Sequence, residues 1–98
     1  MERVALIERL RGLRTRLAED GVTHLAMFGS RARGDHHDGS DLDVLIEIEE
    51  ARKFSLIDLV GVQHTIGDAI GIPVQATMRR SMTPGFRQAV AQDVVDIF

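Results

Sequence analysis

The apolar positions fall into a few clean periods. Leu6, Leu10, Leu13 and Leu17 recur at i, i+4, i+7 and i+11, one stripe of a helix over residues 2–19. Arg3, Arg9, Arg11, Arg14 and Arg16 surround that stripe as a face expected to be solvated. Gly12 costs about 1 kcal/mol relative to alanine, which a helix of this length absorbs, and Asp20-Gly21 stops it. Val22–Phe28 is short, almost wholly apolar and ends at Gly29, which suits a strand buried on both faces, with His24 a satisfied core or edge histidine. Residues 29–40 crowd glycine, aspartate, arginine and histidine and read as a loop with a short helix at 30–33. Residues 41–48 then alternate with period two. Leu42, Val44, Ile46 and Ile48 take one face; Asp41, Asp43, Leu45 and Glu47 take the other.

A second helix is predicted over residues 55–70 by Leu56, Leu59, Val60, Ile66 and Ile70, with Ser55 as N-cap and Gly71 at its end. Pro73 suits the first residue of a strand, and Val74–Met78 follows as one. Thr83 and Pro84 open a final helix whose stripe runs through Phe86, Ala89, Val90, Val94 and Ile97. The order predicts an α/β fold: a small sandwich in which helices flank a mixed sheet of three to four strands.

With 98 residues the chain is expected to form one domain, residues 1–98. Such a chain buries only about 60–65 % of its unfolded surface, so its core is thin. The absence of cysteine excludes a disulfide scaffold, a thiolate metal site and a thiol nucleophile. A formal net charge of −3 argues against strong nucleic-acid binding. No apolar run approaches the roughly 20 residues of a membrane span, and the expected location is cytoplasmic.

The charge distribution carries more. Seven acidic residues and no lysine or arginine fall between Asp35 and Glu50, a repulsive density unless something cationic sits among them. Asp41 and Asp43 share one face of a strand start, their Cα atoms roughly 6.5–7 Å apart. Two hard carboxylates so placed suit Mg²⁺, which completes its shell with substrate phosphates. Upstream, with ten residues between Ser30 and Asp41, Gly29 lets a bulky anion approach the backbone, and Ser30 offers a hydroxyl and an N–H to phosphate. Together these build a metal–triphosphate site.

The stretches Phe28-Gly29-Ser30-Arg31-Ala32-Arg33-Gly34 and Ser40-Asp41-Leu42-Asp43-Val44-Leu45-Ile46 resemble the minimal nucleotidyltransferases of the DNA polymerase β-like superfamily. The resemblance covers nearly the whole chain and implies a nucleotidyltransferase fold. It implies that Gly29 and Ser30 hold the nucleoside triphosphate and that Asp41 and Asp43 bind two Mg²⁺ ions. Arg31 and Arg33 flank this turn and pair either with triphosphate oxygens or with Asp35 and Asp38. Many members of this family are encoded beside a helical HEPN-domain partner and act as antitoxins, some by attaching AMP from ATP to the partner toxin.

One position departs from the family pattern. A third carboxylate is usual on the next strand, and here that place holds Gln75. Glu47 lies roughly 13 Å along the strand from Asp43, too far to replace it. Asp93 and Asp96 fall on the predicted final helix with no reason to point inward. The adjacent side chains of His36 and His37 diverge and make a poor metal pair; His64 and the Met78-Arg79-Arg80 segment read as surface. The leading expectation is an Mg²⁺-dependent transfer of AMP from ATP to an acceptor hydroxyl on a docked protein. The alternative is a catalytically weak or inactive antitoxin of the same fold that neutralises a HEPN ribonuclease by contact. Gln75 favours the second, and the intact Gly-Ser and Asp-x-Asp pairs favour the first.

Overall fold

The computed structural model describes all of residues 1–98. Helices α1 (Arg3–Arg11) and α2 (Arg14–Glu19) lead into β1 (Val22–Phe28), the one-turn α3 (Ser30–Arg33) and β2 (Leu42–Ile48). Then come α4 (Leu56–Ile70), β3 (Val74–Met78), a 3₁₀ turn (Arg79–Ser81), α5 (Pro84–Val90) and β4 (Val95–Asp96). The four strands form one mixed sheet in the order β3-β2-β1-β4. β1 runs antiparallel to β2 and β4, whereas β2 and β3 are parallel, joined through α4.

The period-two reading of β2 explains the two layers. Leu42, Val44 and Ile46 face Leu6, Leu10 and Leu17 of the first helices and Val62, Ile66 and Ile70 of α4, with Leu25 and Met27 of β1 between them. On the other face Leu45 joins Ala26, Phe28, Met82 and Val90 in a smaller cluster. That cluster covers only part of its face and leaves the Asp41–Asp43 end of β2 open. The caps fall where the sequence put them. Ser55 and Asp58 form a reciprocal capping box at the start of α4. Thr83 Oγ1 accepts from the Phe86 N–H at the start of α5.

Two expectations need correction. The first helix is broken between Gly12 and Leu13, because the Leu13 N–H bonds the Leu10 carbonyl three residues back, tightening the ladder into a turn. The final helix ends at Val90, and residues 95–98 leave it to pair with β1. The Ile97 N–H donates to Leu25 O at 2.8 Å, and the Leu25 N–H donates to Phe98 O at 3.2 Å. The open edge of β1 needs partners, and burying Ile97 adds to the gain; together these outweigh continuation of a short helix.

The arginines of the first helices are exposed, as expected, and three of them also reach partners elsewhere in the chain. Arg9 donates to the Ala69 carbonyl, Arg11 to the Ile97 carbonyl, and Arg14 stacks over the Phe98 ring at 5.8 Å. His24 is exposed, its Nδ1 near Thr23 Oγ1 and Glu47. No helix is long and apolar enough to cross a membrane.

Candidate active site

β1 delivers the chain to Gly29, whose backbone (φ 78°, ψ −158°) lies in a region almost closed to other residues. The register pairs Phe28 with Asp43, so the Asp43 side chain lies directly against this turn. A β-carbon on Gly29 would meet Asp43 Oδ2 at 2.5 Å. Glycine is therefore required twice here, for its φ and for the carboxylate resting on its backbone. The Ser30 carbonyl accepts from the N–H groups of Gly34 and Asp35, which closes α3 into a tight turn.

Arg31 is buried, only 5 % exposed, and its Nε donates to the Ser40 carbonyl at 3.0 Å. It bonds neither Asp35 nor Asp38. It ties the end of the 34–40 loop to α3, so the residue entering Asp41 is anchored to the turn that holds Ser30. Arg33 takes the other role foreseen for the pair. Its Nε donates to Asp35 at 3.0 Å and its Nη1 to Asp93 at 2.8 Å. The first bond holds the Asp35 carboxyl below its usual range.

Asp41 is exposed just before β2, and Asp43 is half-buried on the strand. Burial first, and the neighbouring Asp41 charge second, push the Asp43 carboxyl above its ordinary value; Arg33 opposes them. The parallel register sets Gln75 beside Asp43 on the same face, with its side chain exposed. No third His, Cys, Asp or Glu side chain joins the pair in a cluster able to hold a metal ion. Nor does the pair line any of the molecule's concavities, so it lies on an open ledge. Gly29, Ser30, Asp41, Asp43 and Gln75 are thus gathered at one end of the sheet, with Arg33 at their border and Arg31 turned inward.

The residue that sequence reasoning missed is Asp93. It lies in the turn after α5, where its carboxylate meets Arg33. Its only sequence signal was an acidic side chain between Gln92 and Val94, which a helical reading sends to solvent.

Comparison with known proteins supports this picture. The nucleotidyltransferase domain family profile matches residues 10–97. Protein adenylyltransferase MntA of Thermococcus cleftensis is 31 % identical over 75 residues, covering 76 % of this chain and 74 % of that protein. A solved structure provisionally described as a minimal nucleotidyltransferase superposes with a TM-score of 0.79 at 28 % identity, over 97 % of this chain and 95 % of its own. The same fold recurs at 15 % identity, with a TM-score of 0.69 over 98 % of this chain and 71 % of that one. That second structure is a complex of tri-AMPylated Shewanella oneidensis HEPN toxin with MNT antitoxin. The match over almost every residue, with a glycine-serine turn packed on Asp43 at its centre, makes this chain a member of the nucleotidyltransferase domain family, built as a minimal nucleotidyltransferase.

Proposed function

We propose that the protein transfers AMP from ATP to a hydroxyl group of a partner protein, as the antitoxin of a HEPN toxin. The observation that carries this reading is the seating of Asp43 on the Gly29 backbone, which puts a carboxylate pair and a phosphate-accepting turn on one ledge. The acceptor oxygen forms a bond to the α-phosphorus, the bond to the β-phosphoryl oxygen breaks, and pyrophosphate leaves with the electron pair. The acceptor proton must go to a base.

Asp41 and Asp43 would hold one Mg²⁺, since two carboxylates with phosphate and water oxygens are a usual shell for that ion. Bound there, it supplies charge neutralisation at the triphosphate. The donor set is poorer for a second ion, because Gln75 adds one neutral oxygen and no base. Ser30 donates its hydroxyl to the β- and γ-phosphates, and Arg33 adds positive charge at their edge. Arg31 keeps Ser40, and with it Asp41, in place.

The open ledge favours an acceptor that brings its own surface. A docked protein fits this better than a small molecule, which would need an enclosing cleft. The adenylyltransferase name of the Thermococcus relative and the toxin–antitoxin complex of the same fold support AMP as the group moved and a HEPN toxin as its recipient. Dependence on ATP suits a cytoplasmic location. Gln75 favours the second reading, neutralisation by contact with little or no chemistry.

The test is incubation of the protein, Mg²⁺ and the helical product of the neighbouring gene with ATP labelled at the α- or the γ-phosphate. Label on the partner from α-labelled ATP alone supports transfer of AMP. A stable complex that takes no label, from wild type or from Gln75→Asp, establishes the second reading instead.

A further inference from the structure

We infer that Asp93 is a positioning residue for the nucleotide site, holding the Arg33 guanidinium at the border of the Gly29–Ser30 turn with one edge free for a triphosphate. The inference rests on the ATP-binding reading above. Arg33 closes α3, its backbone N–H donating to the Gly29 carbonyl at 3.0 Å. Its side chain is pulled between two carboxylates, Asp35 through Nε and Asp93 through Nη1, and Nη2 has no protein acceptor.

The two anchors are unequal. Asp35 stands in the exposed loop, its side chain 61 % exposed, and gives little purchase. The Asp93 side chain is 21 % exposed, and its backbone N–H donates to Val90 O at 2.9 Å. Val90 is buried on one side of that turn, and β4 is hydrogen-bonded to β1 on the other. Asp93 is therefore the fixed end of the pair, 60 residues from Arg33 in sequence. An ordinary exposed ion pair loses most of its value to side-chain freedom and screening. Here one partner is already held by packing, so the guanidinium is oriented before any ligand arrives. A planar fork with two N–H groups committed presents its remaining edge in one direction, which suits a phosphate oxygen.

The arrangement differs from simple neutralisation of Arg33 in a measurable way. Calorimetric titration with ATP plus Mg²⁺, and separately with AMP, reads it directly. Asp93→Asn should weaken ATP binding by about tenfold, the scale of one charge-assisted hydrogen bond, and leave AMP binding unchanged. Asp93→Glu should restore most of the loss. Arg33→Ala should weaken ATP binding to a similar extent, and adding Asp93→Asn to it should cost nothing further. Arg33→Lys keeps the charge but not the fork, and tests the pair from the α3 side should the Asp93 variants melt early. A structural role alone would lower the melting temperature and weaken ATP and AMP alike.

If wild type binds ATP and Asp93→Asn binds it equally or more tightly, the inference is overturned while the proposed function stands. Additive losses in the double variant overturn it in the same way. If wild type binds no ATP, both fall together.

Discussion

Replacing Gly29 by alanine probes the contact on which the site is built. The backbone there, at φ 78° and ψ −158°, is a region that residues with a side chain occupy at a cost of about 1–3 kcal/mol. The new β-carbon would also lie 2.5 Å from Asp43 Oδ2, so the carboxylate must swing away or the turn must open. The carboxylate is the free end of a half-buried side chain, so this rearrangement adds at most ~1 kcal/mol, the low end of overpacking costs. Gly29→Ala should therefore destabilise the protein by about 1–4 kcal/mol, combining the two terms. In a domain of this length each kcal/mol moves the melting temperature by about 4–8 °C, so a fall of at least ~4 °C is expected. The two causes separate in an Asp43→Ala background, where the clash is gone and the backbone strain remains. Thermal or urea melts of the four proteins give both terms. A Gly29→Ala penalty below about 0.5 kcal/mol, the ordinary scatter of surface changes, would refute the strain argument. Equal penalties in the two backgrounds would refute the contact.

Three further outcomes follow from the same geometry. Burial raises the Asp43 carboxyl above its usual value, so its charge at neutral pH costs folding stability. Asp41→Asn/Asp43→Asn should melt at or above wild type without ligand, yet miss the gain of about 2.7 kcal/mol that Mg-ATP at 100 times its Kd gives wild type; equal gains would show that the nucleotide sits elsewhere. Gln75→Asp supplies the missing base beside Asp43, and single-turnover transfer to the partner should rise by roughly 10²–10⁴-fold. Fast wild-type transfer left unchanged by that substitution would mean another residue takes the proton. The Ser55 N–H and hydroxyl hold the Asp58 carboxyl below its usual range. Its contribution to stability should therefore be full above about pH 4 and vanish as pH falls through its lowered value. The melting gap between wild type and Asp58→Asn should narrow as pH falls below about 4, and a gap that does not change with pH would contradict the capping role.

Much of this molecule is legible from local pattern. The alternation in β2 is enough by itself to separate Asp41 and Asp43 from the core face, and the caps at Ser55 and Thr83 fix two helix starts. What local pattern misses depends on partners far away in the chain. Phe86, Ala89 and Val90 set a helical period that Val94 and Ile97 continue by coincidence, while Val95, Asp96 and Ile97 equally fit a strand. Only the free edge of β1 decides between the two readings. Arg9, Arg11 and Arg14 form the wet face that the pattern predicts, but their partners, two carbonyls and a phenyl ring, lie in distant parts of the chain and cannot be read from it. Asp93 is hidden for the same reason: its only partner is on α3. The broken first helix is a nearer miss, since Gly12 announces the weak point but not its outcome.

The pairing of β4 with β1 also orders events during synthesis. Every element that β4 touches, including Leu25, Met27 and Arg11, leaves the ribosome before Val95 does. The nascent chain can bring α1, β1, β2 and α4 together while the outer edge of β1 is still unpaired and Leu25 still lacks its backbone partners. Long-range strand pairings of this kind form late and slowly. Asp93 lies just ahead of β4 in the chain, so Arg33 gains its fixed anchor only as this edge of the sheet is closed. A chain stalled or clipped just short of this point would keep the glycine-serine turn and both aspartates, yet expose a sticky strand edge beside an unfinished site. Closure of the β1 edge and anchoring of Arg33 thereby depend on the same short segment, residues 93–98.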